Sequence, residues 1–104
     1  MAHKTALQRK FDVLATQWRN ETVFESSMTK IIANENYQKI IGLGPSVLPC
    51  IFEDLKKNGG MWFAALHTLT GVNPVHPEDV GNIQVLTQKW LKWATESSNL
   101  TSVR

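Results

Sequence analysis

The chain of 104 residues holds a single cysteine, a single tyrosine and four prolines, and no apolar run approaches the roughly 18 residues of a membrane span. Each shortage excludes something. With Cys50 alone, neither an intramolecular disulfide nor a multi-cysteine zinc site can form, so the fold must rest on its apolar core, and a reducing compartment is the simpler setting. Charge is sparse too. Lys4, Arg9, Lys10 and Arg19 against Asp12 make the first twenty residues +3, which leaves −1 for the remainder of a chain whose net charge is +2. That asymmetry falls well short of the Lys/Arg stripe of a dedicated nucleic-acid domain. The first ten residues, Met-Ala-His-Lys-Thr-Ala-Leu-Gln-Arg-Lys, have no apolar core of a signal peptide, so a cytoplasmic location and no membrane partner are expected. In that setting the sequons Asn20-Glu21-Thr22 and Asn99-Leu100-Thr101 are chance matches.

What the chain does have is apolar periodicity. Leu7, Phe11, Leu14 and Trp18 recur at helical spacing and predict a first helix over about 4–20. Residues 21–36 read as an irregular connection with one helical turn. Asn34 then caps a short helix carrying Tyr37, Ile40 and Ile41, ended by a left-handed Gly42. Gly44-Pro45-Ser46 reopens a third helix, with Ser46 as N-cap and Pro49 in its first turn, where the missing amide is harmless. Val47, Leu48, Ile51, Phe52 and Leu55 form its buried arc, and Glu53, Asp54, Lys56 and Lys57 its outer side. After Asn58-Gly59-Gly60, the stretch Met61–Thr70 is apolar on nearly every side and predicts a central helix closed by Gly71. Val72–Gly81 is a proline-containing loop. Ile83, Leu86, Trp90, Trp93 and Ala94 share one face of a last helix, with residues 97–104 as a frayed tail. No segment alternates with period two. The expectation is one all-α domain, a compact bundle of about five helices with its core over about 5–96. The pair from Gly44 to Gly71 resembles a single HEAT or armadillo-type hairpin, which cannot bury its own face and must be covered by the other helices.

Candidate chemistry is thin. His3, His67 and His76 do not share metal-ligand spacing, and the carboxylates of His76-Pro77-Glu78-Asp79 suit the start of a following helix. Neither metal nor cofactor is expected. His67 has no carboxylate and nucleophile that sequence can place beside it. Cys50 would gain thiolate character at an exposed helix start and is otherwise a small apolar filler. Ser26-Ser27 has no nucleophile motif and suits a helix cap, and Gly42-Leu43-Gly44 lacks the Lys-Ser/Thr ending of a phosphate loop. A non-catalytic protein therefore leads. Four tryptophans in so short a chain build a core or line a recognition surface. Trp18 and Trp90 are assigned to the core. Trp62 and Trp93 are assigned to partial exposure, and a protein partner is expected to meet Trp62, His67, Thr70, Asn73, His76 and Trp93, with Ser26 and Ser27 adjoining. On that reading Trp62→Ala abolishes binding and leaves helicity intact. The alternative is weak nucleic-acid binding through Lys4, Arg9, Lys10 and Arg19, aided by Lys89 and Lys92. A self-associating subunit is the third possibility.

Phe11, Leu14, Trp18, Thr22, Ser26-Ser27, Tyr37, Ile40-Ile41-Gly42, Gly44, Trp62, Ala65-Leu66, Thr70-Gly71, Asn73-Pro74, Gly81, Trp90 and Trp93 carry a further likeness. In this pattern the chain resembles a group of short, functionally uncharacterised bacterial proteins. The segment Trp62-x-x-Ala65-Leu66 followed by Thr70-Gly71-x-Asn73-Pro74 is its most specific part. Asn34-Glu35-Asn36 stands where the group usually has His-Pro, and Ala94 where it often has glycine. The resemblance implies no reaction. Through the habit of such proteins to act on a neighbouring gene's product, it implies an antitoxin, immunity-type or regulatory role.

Overall fold

The computed structural model describes residues 5–72 and 81–102, with side chains described as far as residue 96. Among these residues the chain forms six α-helices and one 3-10 turn, without strands. The helices are α1 (Ala6–Glu21), α2 (Met28–Ala33), α3 (Glu35–Gly42), α4 (Leu48–Asn58), α5 (Phe63–Thr70) and α6 (Ile83–Ser102), and the 3-10 turn Pro45–Val47 leads into α4. The all-α bundle expected from periodicity is what forms.

Local chemistry explains most boundaries. Thr5 starts α1 by accepting from the Gln8 amide at 3.0 Å. Asn34 starts α3, its Oδ1 accepting from the amides of Asn36 at 2.9 Å and Tyr37 at 3.4 Å. Gly71, at φ 73°, ends α5 in the left-handed conformation that a side chain would resist. Four expectations are corrected. Residues 21–36 contain a complete six-residue helix, α2, capped by Ser27. Gly42 is not left-handed; Gly44, at φ 88°, takes the positive φ, because Gly42 is still the last residue of α3 and Leu43 keeps a right-handed backbone before the chain turns. Val47 rather than Ser46 precedes α4, because the 3-10 turn occupies the place expected for the helix start. The last helix extends to Ser102, past the point where a tail was expected.

The core is aromatic at its centre. Phe11 and Trp18 of α1 and Tyr37 of α3 surround Trp62, with ring centroids 5.5, 4.6 and 5.7 Å from its indole. Ile40, Val47, Ile51, Leu55, Ala65 and Leu66 complete it. α1 packs chiefly against α3, α5 against α3, and α4 against α6, so the α4–α5 pair is covered by the other helices as its apolar faces require. Trp18 Nε1 donates to the Ile31 carbonyl at 3.0 Å and fastens α2 to α1. A smaller cluster joins α4 to α6, where Phe52, Trp90 and Trp93 lie 5.7–6.5 Å apart.

Candidate interaction surface

Trp62 is 0% exposed and is a core residue, which corrects its assignment to a partner surface. Periodicity misplaced it because it stands before α5 rather than on it, and its carbonyl accepts the first bond of that helix, from Leu66 at 2.9 Å. Trp93 is half-buried, its ring edge-on to Trp90. Trp18 and Trp90 are buried as expected. His67 is exposed, and its Nδ1 lies 3.0 Å from the Val72 carbonyl oxygen. Thr70 donates from Oγ1 to Leu66 at 2.7 Å and accepts from the Val72 amide at 3.1 Å. These two expected contacts are thus brought together, as fasteners of the α5 terminus. Asn73 and His76 lie outside the described residues, as does Lys4.

The cations of the first helix are not one surface. Arg19 donates to Asp54 Oδ2 at 2.7 Å and lies against the Trp18 ring, while Arg9 and Lys10 are exposed. Asp54, expected on the outer side of its helix, is 7% exposed and accepts from Asn58 as well as Arg19. Because the carboxylate is the buried partner, Arg19→Met is expected to cost about 1–3 kcal/mol and more than Asp54→Asn, which is neutral, keeps one oxygen to accept from Arg19 and presents an NH2 that a flipped Asn58 amide can accept from. Urea denaturation checks this, and the reverse order would refute the account.

A cleft of about 650 Å³ lies between α1 and α4 beside this pair. Its groups are engaged with one another: Gln8 Nε2 donates to Asp12 at 2.8 Å, Cys50 Sγ to Gln8 Oε1 at 3.2 Å, and Lys57 pairs with Glu53 at 3.3 Å. Burial, then the nearby Asp12 carboxylate, push the Cys50 thiol above its ordinary pKa, so it is held as a thiol and not as a nucleophilic thiolate. Among the described residues, no three His, Cys, Asp or Glu side chains are placed to hold a metal ion, and no helix is long and apolar enough to cross a membrane.

The most unusual surface was not among the expected sites. The Glu25 amide donates to the Thr22 carbonyl at 3.0 Å, closing a turn with Val23 and Phe24 at its corners. Val23 is 65% exposed and Phe24 97%, with Met28 exposed beyond them. The turn is tied down on both sides: Thr22 Oγ1 donates to Trp18 at 2.8 Å, and the Ser27 amide to Glu25 Oε2 at 3.0 Å. Ser26 is exposed beside it, and Ser27 is half-buried because its side chain accepts from the Lys30 amide at 3.4 Å. The signal in sequence was Val-Phe at turn corners, which normally carry glycine, proline, asparagine, aspartate or serine.

Among the described residues, fold and surface together define an all-α helical bundle with an apolar turn held out into solvent. No family model matches the chain, and neither the curated proteins nor the solved structures contain a match to it.

Proposed function

We propose that the protein is a non-catalytic helical module for protein–protein interaction, docking through the Val23–Phe24 turn with Ser26 and Ser27 at its edge. The observation that carries this is the exposure of Phe24 on a turn fastened at both ends. A phenylalanine transferred fully from water gains about 1.5–3 kcal/mol, and because the turn is already ordered, little of that gain is offset by fixing the backbone on binding. Aromatic anchors of this kind dominate binding energies at interfaces. The antitoxin, immunity-type or regulatory role implied by the bacterial resemblance belongs with this reading, in a cytoplasmic setting.

The test is photo-crosslinking in cells with a benzophenone amino acid placed at position 24. A discrete protein adduct is expected there and none when the same probe replaces Lys57. Absence of any adduct at position 24 overturns the reading.

A further inference from the structure

We propose that Asn58 is a site of spontaneous deamidation, held closed by the folded protein and opened when the end of α4 unwinds. Of the seven asparagines, Asn58 is the one followed by glycine. The reaction needs that neighbour. The backbone nitrogen of the next residue must reach the asparagine Cγ, and a following side chain obstructs the approach, whereas glycine has none. Asn73 is followed by proline, which has no N–H to lose. The fold makes the Asn-Gly pair hard to avoid. Gly59 ends α4 at φ 70°, a conformation that a side chain would resist, and Asn58 is the last residue of that helix.

In the folded chain the two reacting groups are held apart. The Gly59 N–H donates to the Leu55 carbonyl at 2.9 Å, closing the last turn of α4. The Asn58 side chain reaches back one turn, where its Nδ2 donates to Asp54 Oδ1. Asp54 lies four residues earlier and Gly59 one residue later, so this hydrogen bond draws Cγ away from the nitrogen that would attack it. Water is not limiting, because Asn58 is exposed and lines the cleft between α1 and α4.

Once both hydrogen bonds break, the Gly59 nitrogen forms a bond to Cγ, the bond from Cγ to Nδ2 breaks, and Nδ2 leaves as ammonia with the proton of the Gly59 amide. Water then opens the resulting five-membered ring. Attack at Cγ gives aspartate, and attack at the main-chain carbonyl gives isoaspartate, in which the chain runs through Cγ. Either product fits the folded protein poorly. Position 58 then offers Asp54 a carboxylate in place of a donor, and Asp54 is itself 7% exposed, with Arg19 as its ion-pair partner. Like charges in contact repel, and the helix dipole opposes a negative charge at its C-terminal end. Deamidation therefore marks a chain that has opened, and refolding does not erase the mark.

Incubation of the purified full chain at neutral pH tests the proposal, in native buffer and in guanidinium chloride beyond the unfolding midpoint, with peptide mass mapping of every asparagine. In the denaturant Asn58 should convert ahead of the other asparagines, and in native buffer its conversion should be slower by about tenfold or more, because only the opened fraction reacts. Equal rates in the two solutions, or faster conversion at another asparagine in the denaturant, would overturn it. The poor fit of the product is read separately from thermal melts. Asn58→Asp should melt about 4–8 °C below Asn58→Ala, which removes the donor without adding charge. In an Asp54→Asn background the gap should shrink, because the opposing carboxylate is gone. Equal melting of Asn58→Asp and Asn58→Ala, or a gap that persists in full in that background, would show that Asp54 does not reject the product.

Discussion

Trp62→Ala is expected to cost about 3–5 kcal/mol, the range for truncating a buried tryptophan or phenylalanine, and to lower the melting temperature by about 12 °C or more. A domain of this size has only about 5–15 kcal/mol in total, so the variant should be partly or wholly unfolded under ordinary conditions. The cause is positional. The indole is 0% exposed and meets Phe11, Trp18 and Tyr37, so its loss removes the common partner of three rings from two helices. Trp62→Phe is the informative companion. It keeps an aromatic ring in the cluster, and it deletes an indole N–H that has no hydrogen-bond partner among the described residues, so about 1–2 kcal/mol is expected. Phe24→Ser, at a side chain in solvent, should stay within about 0.5 kcal/mol of the parent. Thermal melts of the three variants give the ordering. A Trp62→Ala protein that melts with the parent would show that the cluster is not the centre of the core.

Helical spacing made the arc of Phe11, Leu14 and Trp18 legible before any coordinates. Asn34 and Gly71 were legible for another reason: a cap is a local device that needs only the residues beside it. What could not be read was tertiary. Asp54 looked solvated because a carboxylate usually is, and only the Arg19 side chain, thirty-five positions away in sequence, explains its burial. Trp62 was misread for the same reason, since a residue before a helix has no place on that helix's wheel. The Val23–Phe24 turn escaped differently. The polar residues around it suggested an ordinary connection, and an apolar pair inside such a segment conflicts with its turn chemistry. Conflicts of that kind are where functional positions tend to lie.

Raising the pH through 10 and on to 12 should destabilise the protein by up to about 3 kcal/mol through Tyr37 alone. The ring is fully buried, and its hydroxyl links α3 to the entrance of α5. It donates to the Met61 carbonyl at 2.9 Å and accepts from the Ala65 amide at 3.0 Å. Burial disfavours the phenolate more than the Ala65 amide favours it, and the pKa is pushed up from 10.0 to about 12. The sign follows from which state releases the proton first. In the unfolded chain the phenol ionises near pH 10, and in the folded chain it holds its proton until about pH 12, so between these values deprotonation stabilises only the unfolded state. The contribution is therefore fully present below pH 10, lost progressively above it, and complete in its loss beyond about pH 12. Tyr37→Phe separates the two roles of the hydroxyl. At neutral pH it should cost about 1–3 kcal/mol, because the Ala65 amide and the Met61 carbonyl lose their shared partner in the interior. In urea titrations at several pH values it should also remove the Tyr37 part of the alkaline slope, so that the two proteins converge in stability as the pH rises. Parallel curves with no convergence would mean that the tyrosine ionises as freely in the folded protein as in the unfolded chain, and that its hydroxyl is open to water.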